Sequence, residues 1–142
     1  MQPNTLTTAT NQRRTIRSGT DYIDSLRGRK LKVYLFGEEI TEPVDHPLIK
    51  PSINAVAQTY DLALSNPELA TAISPFTGER INRFLHIATS AEDLVLQNKM
   101  QRRLGQLTGT CFQRCVGMDA FNSLYSVTYE IDEQHGTQYH DR

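Results

Sequence analysis

Apolar side chains recur along this chain at two spacings, and the switches between them mark out the elements. Met1 to about Ser18 is rich in Thr, Asn and Gln and has almost nothing to bury, so residues 1–18 read as a flexible leader. Thr20 is a plausible N-cap, Tyr22, Ile23 and Leu26 form an apolar stripe, and Gly28 suits a left-handed stop, which together predict a helix over 20–27. Lys32 to Ile40 then places β-branched and aromatic residues around a Gly37-Glu38 turn, the pattern of a small hairpin. Pro43, Pro47 and Pro51 punctuate an extended stretch before Ser52–Leu64, where Ile53, Val56, Ala57, Tyr60 and Leu64 return every three or four positions, a helical period that Asn66-Pro67 ends.

A short helix is expected around Glu68–Ala72, a turn at Ser74–Glu79 and extended chain from Arg80 to Ile87. Thr89 and Glu92 have capping-box spacing and open a long helix on which Leu94, Gln101, Leu104 and Leu107 share a face. Thr108-Gly109-Thr110 interrupts it. From Cys111 to about Gln134 the period predicts another helix, burying Phe112, Cys115, Val116, Ala120, Leu124, Val127 and Ile131 and stopping at Gly136, with a frayed end at 135–142. The expected fold class is therefore mainly α, four or five packed helices with one small β-hairpin, in a single domain over 19–142.

With 142 residues the chain is long enough to bury a core without disulfides or metal as props. Its net charge of -1 argues against nucleic acid as a partner, since phosphate-backbone binders are strongly basic. Residues 1–30 carry six basic and two acidic groups and residues 119–142 one and five, which reads as solvated or inter-subunit faces because neither end has a long like-charge run. No segment approaches the ~18 consecutive apolar residues of a membrane helix, and the first 20 residues lack the apolar core of a secretory signal, so a cytoplasmic location is expected. A transit peptide is the disfavoured alternative. In a reducing compartment the two cysteines are candidates for metal or redox chemistry rather than a structural disulfide.

Those cysteines stand as Cys111-Phe-Gln-Arg-Cys115. At i and i+4 on a helix two thiolates point to one side and can meet one metal centre. The competing reading is that free Cys behaves as a small buried hydrophobe, and zinc and iron-sulfur sites usually need four ligands where only two thiols exist. His46, His86, His135 and His140 lie at no short ligand spacing from the pair. Arg102 and Arg103 fall on the long helix and Arg114 between the thiols, where a cation lowers thiolate pKa or offsets cluster charge, although helix-surface arginines are ordinarily just solvated. No glycine-rich phosphate loop is present.

The string Cys111-Phe-Gln-Arg-Cys-Val-Gly-Met-Asp-Ala-Phe-Asn122, continued by Thr128–Asp132, closely resembles the N-terminal part of the 4-hydroxybutyryl-CoA dehydratase family. Val33–Gly37, Asp45-His-Pro47, Arg80–Phe84 and Lys99–Arg102 follow the same family in the same order, so the resemblance runs from about Ser18 to His140. It implies the N-terminal helical domain of an acyl-CoA-dehydrogenase-like subunit, within a wider group that includes 4-hydroxyphenylacetate 3-hydroxylases. It also implies removal of water from 4-hydroxybutyryl-CoA to give crotonyl-CoA, and isomerisation of vinylacetyl-CoA, with FAD beside a four-iron, four-sulfur cluster in a homotetramer. By the same resemblance Cys111 and Cys115 are two of four cluster ligands, while Arg102 and Gln113 face the active site as catalytic residues.

Subunits of that family are several times longer, continuing into a β-domain and a C-terminal helical bundle. The 142 residues alone are accordingly expected to be inactive. Two other readings remain: a non-catalytic remnant or subunit-docking module of the same family, and a flavin-dependent aromatic hydroxylase relative, which leaves the cysteine pair without a purpose.

Overall fold

The computed structural model describes residues 15–141. The element order is α1 (Gly19–Leu26), β1 (Val33–Leu35), β2 (Glu38–Ile40), α2 (Lys50–Ser65), α3 (Pro67–Ala70), β3 (Thr71–Ile73), β4 (Arg80–Asn82), a 3₁₀ turn (Arg83–Leu85), α4 (Ala91–Thr108) and α5 (Cys115–His135). Five helices match the mainly α expectation, and the strands form two separate antiparallel ribbons, β1–β2 and β3–β4, where one hairpin was expected. Of the expected leader, residues 1–14 lie outside the described residues, while Ser18 belongs to the fold: its hydroxyl accepts from Asp21 N and caps α1.

Helix α1 lies against α2, and one close approach fixes the pair. Gly19 N donates to Asp61 Oδ1 at 2.7 Å, and a Cβ at position 19 would fall 2.5 Å from that carboxylate, so glycine is required there. The first hairpin turns at Phe36-Gly37, with φ of 53° and 87°, one residue earlier than the Gly-Glu turn expected from sequence. Two consecutive left-handed residues give the tight turn whose twist suits an antiparallel pair.

Ala55 and Leu62 of α2, Ala70 of α3, Phe84 of the 3₁₀ turn, Met100 and Leu104 of α4, Phe112 and Met118 form the core. Helix α4 buries Met100 and Leu104 completely but leaves Leu94 and Leu107 exposed, so only part of the expected apolar face is covered. Its cap is Ser90 with Asp93 rather than Thr89 with Glu92. Ser90 Oγ accepts from Asp93 N at 3.1 Å, and the Asp93 carboxylate accepts from Ser90 N and Thr89 N at 3.1 Å each.

Asp93 also faces two buried cations or near-cations. His86 Nε2 lies 3.1 Å from its Oδ1, outside hydrogen-bond alignment, and Arg83 Nη1 lies 4.0 Å away. Arg83 is itself buried and donates to the Leu69 and Thr71 carbonyls at 2.9 and 2.6 Å, tying the 3₁₀ turn to α3 and β3.

The largest departure from the sequence reading is at α5, which starts at Cys115 rather than Cys111. Gly109 ends α4 at φ 61° and Gln113 sits at φ 58°, and two left-handed residues four apart cannot lie within one right-handed helix. Helix α5 then buries Met118 alone, while Val116, Leu124 and Val127 are exposed against expectation. Beyond its stop at Gly136 the chain does not fray: Asp132 accepts hydrogen bonds from the Thr137 hydroxyl and from Tyr139 N and His140 N, folding the tail back along the helix.

Burial raises the Asp93 pKa, but the Ser90, Thr89 and His86 contacts outweigh it and hold the carboxyl below its ordinary value. A carboxyl depressed on folding stabilises above the unfolded aspartate range, and that contribution fades as pH falls through it. Asp93→Asn should therefore cost about 1 kcal/mol near neutrality, the usual size of a lost helix cap. In urea unfolding at several pH values, the gap to wild type should close as pH drops below the aspartate range. A gap that stays constant into acid would show that the charge of Asp93 is not what stabilises the junction.

Candidate metal-binding loop

Between the end of α4 and the start of α5 the chain alternates sides. Phe112 and Arg114 turn inward, whereas Cys111 and Gln113 are exposed and Cys115 is half-buried against the core. The Phe112 ring packs 5.7 Å from the Phe84 ring. Arg114 lies 4.6 Å over the Tyr60 ring and 4.7 Å over the Phe84 ring, and its Nη1 donates to Thr59 Oγ1 at 2.9 Å. Tyr22 of α1 extends this stack, its ring 5.4 Å from Tyr60.

No carboxylate pairs with Arg114 among the described residues. Burial pushes its pKa down from the ordinary arginine range, opposed by Tyr60 and Tyr22. Arginine is effectively always charged in proteins, so the rings and one hydroxyl carry the compensation.

The inward anchors leave the thiols at the outer side of the loop. Gln113 N donates to Cys111 Sγ at 3.4 Å, and Gln113 itself adopts the left-handed region at φ 58°. A non-glycine residue in that region stores about 1–2 kcal/mol of strain and persists only where its surroundings enforce it. Amide donors to sulfur favour the thiolate, which is the form that binds metal. Two soft sulfur donors in one short loop are the right chemistry for an iron-sulfur centre, and they fit as part of a donor set. Among the described residues no group of three or more His, Cys, Asp or Glu gathers here.

The structure thus brings Cys111, Gln113 and Cys115 together. Arg102 is exposed on α4, and no hydrogen bond or ion pair joins it to the loop among the described residues. Seven residues separate it from Gly109, so it lies about two turns, roughly 10 Å, before the loop and on nearly the same side of the helix. A groove of about 200 Å³ runs beside the cysteines, lined by Phe84, Leu85, Gln113, Arg114, Gly117 and Phe121 among others. Sequence reasoning assigned Arg114 to the thiols through its charge and missed its inward partners Thr59, Tyr60 and Phe84. No spacing in the chain signals a stack built from three separate elements.

The family model described as 4-hydroxyphenylacetate 3-hydroxylase N terminal matches residues 18–142. The chain is 56% identical over 122 residues to 4-hydroxybutyryl-CoA dehydratase/vinylacetyl-CoA-Δ-isomerase of Clostridium aminobutyricum, covering 84% of this chain and 25% of that protein. Among solved structures, the oxygen-tolerant archaeal 4-hydroxybutyryl-CoA dehydratase of N. maritimus superposes with a TM-score of 0.86 at 76% identity, over 89% of this chain and 25% of that one. The oxygenase component of 4-hydroxyphenylacetate 3-monooxygenase complexed with FAD superposes at 0.53 with 25% identity, over 63% of this chain and 19% of that one. The chain spans about a quarter of the length of the dehydratases it matches.

The unequal exposure of the two thiols has a direct consequence. Iodoacetamide should label Cys111 faster than the half-buried Cys115 in the folded chain, and the two rates should converge in denaturant, as read by peptide mass mapping. Equal rates in the native protein would contradict this loop conformation.

Proposed function

We propose, since the chain belongs to the 4-hydroxyphenylacetate 3-hydroxylase N-terminal family, that it is the N-terminal helical part of a 4-hydroxybutyryl-CoA dehydratase. The activity is conversion of 4-hydroxybutyryl-CoA to crotonyl-CoA, with isomerisation of vinylacetyl-CoA. The observation that carries this reading is the cysteine loop, one exposed and one half-buried thiol on an inward-anchored turn, in a chain 76% identical to a solved dehydratase. Substrate, activity and assembly belong to the whole subunit, of which these residues are the first domain.

In this reading Cys111 and Cys115 provide two of the four ligands of a four-iron, four-sulfur cluster, the other two coming from beyond this chain. When bound, the cluster and FAD supply the one-electron chemistry needed to break a poorly acidic β C–H bond. The chain's own residues prepare the site for it. The amide of Gln113 donates to the Cys111 sulfur, and its exposed side chain stands between the two ligands on the reacting side. Arg102 offers a positive charge to the polar end of the substrate from the face of α4 that leads into the loop. The subunit works as a homotetramer in the cytoplasm on an acyl-CoA substrate, and no helix among the described residues is long and apolar enough to cross a membrane.

A second reading has its own observation. Phe121, Leu124, Val127 and Tyr129 of α5 are all about half exposed, and a groove of about 370 Å³ runs along this face to Tyr139 and His140. Apolar exposure on that scale marks a surface covered by other protein, as in a subunit-docking module that has lost its chemistry.

A chimera separates the two. The chain replaces the matching quarter of the N. maritimus dehydratase, and bound iron and dehydration of 4-hydroxybutyryl-CoA are measured anaerobically. The dehydratase reading expects an iron-loaded, active chimera in which Cys111→Ser lowers both iron and activity by at least an order of magnitude, as expected for loss of a metal ligand. A folded chimera without iron or activity supports docking alone, and full activity of an iron-free Cys111→Ser chimera would sink the cluster assignment.

A further inference from the structure

Arg114 is a half-buried cation with no carboxylate partner among the described residues, its guanidinium set over two aromatic rings from different elements, and it sits directly before Cys115 in the loop that carries both thiols. Burying a guanidinium in this way is costly, and nothing in the packing of α2 against α4 requires a charge at that place. A leucine or methionine would fill the same slot without the desolvation cost. What an aliphatic residue lacks is the planar, two-faced stack that fixes the direction of the side chain, together with a fixed donor to Thr59 Oγ1.

The direction matters because Arg114 is flanked by Gln113 in the left-handed region and by the first residue of α5. With Phe112 anchored on Phe84 and Arg114 on Thr59, Tyr60 and Phe84, both neighbours of Gln113 are held inward, while Gln113 itself is exposed and its amide donates to Cys111 Sγ. The anchors hold both ends of the segment between the sulfurs.

We propose that Arg114 is a positioning residue that presets the mutual placement of Cys111 and Cys115 before any metal arrives. The stack against Tyr60 and Phe84 acts through the backbone, and the guanidinium itself touches no metal. This deepens the cluster reading and rests on it for its biological purpose, but the preset geometry belongs to the chain alone.

The test uses Cd²⁺ as a thiolate-seeking probe on the 142-residue chain, titrated anaerobically and followed by sulfur-to-metal charge-transfer absorption, with Cys111→Ser as the blank. Arg114→Leu is expected to weaken Cd²⁺ binding roughly 10–100-fold, the usual loss when an outer partner of a metal ligand is removed. Tyr60→Leu should weaken it in the same direction, and Tyr60→Phe, which keeps the ring, should restore wild-type affinity. Arg114→Lys keeps the charge without the plane and should stay weak. Leu62→Ala, buried in the core on the same helix, lowers stability yet should leave the affinity of the folded chain unchanged.

Wild-type Cd²⁺ affinity in folded Arg114→Leu, equal weakening by Leu62→Ala, or a wild-type chain that binds no Cd²⁺ through the pair would each overturn the proposal. Should Arg114→Leu fail to fold, the contrast between Tyr60→Phe and Tyr60→Leu decides. The iron content of the chimera reads the cluster assignment separately: a preset pair with no iron removes the dehydratase reading and leaves the role of Arg114 standing.

Discussion

The half-buried guanidinium of Arg114 joins parts of the chain that are far apart in sequence. Thr59 and Tyr60 come from α2, Phe84 from the 3₁₀ turn, and Tyr22 of α1 backs the stack from outside. A cation without a counter-ion is tolerated there because ring faces are negative and guanidinium is weakly hydrated for its charge. The contact holds the residue that immediately precedes α5, and so ties the start of a 21-residue helix to α2 and the 3₁₀ turn.

The apolar core is small, and polar stitches complete it. Asp61 holds the first turn of α1, Arg83 spans to two carbonyls of the α3–β3 junction, and Asn122 of α5 accepts from Ala88 N and donates to Met118 O. Each stitch satisfies backbone groups at an element end, where they would otherwise be buried unpaired or left to solvent. Helix α5 is the exception in its outer half. There Asp132 organises the tail, His140 packs 4.3 Å from Tyr125 and the Phe76 ring of the β3–β4 connection reaches Tyr125 at 5.5 Å, while much of the apolar face stays open.

Local signals in the sequence were reliable wherever the structure is local. The Asn66-Pro67 stop, the left-handed ends at Gly109 and Gly136 and the helical period of α2 all appear in the fold. The cap of α4 was displaced by one residue because Thr89 and Ser90 offer the same chemistry to Glu92 and Asp93, and only the contact of Asp93 with His86 and Arg83 distinguishes them. The second ribbon escaped because Thr71–Ile73 follows α3 without a break, so its first residues were read as the end of a helix over Glu68–Ala72. Phe112, Cys115 and Val116 have helical spacing, yet the loop is set by stacking from α2 and the 3₁₀ turn, which no period records. Periodicity likewise marked the apolar face of α5 without saying what covers it.

The same distinction explains how the candidate site could be half legible. The identities of Cys111 and Cys115 were plain, and the resemblance gave them a purpose, but the helical geometry first assigned to them was wrong. A helix would place both sulfurs by backbone hydrogen bonds alone and leave the residues between them to face elsewhere. The loop instead spends its intervening residues on the constraint: Phe112 and Arg114 face inward to hold the turn, and Gln113 contributes its amide to a sulfur. Such an arrangement fixes two donors from one side and keeps the other side free.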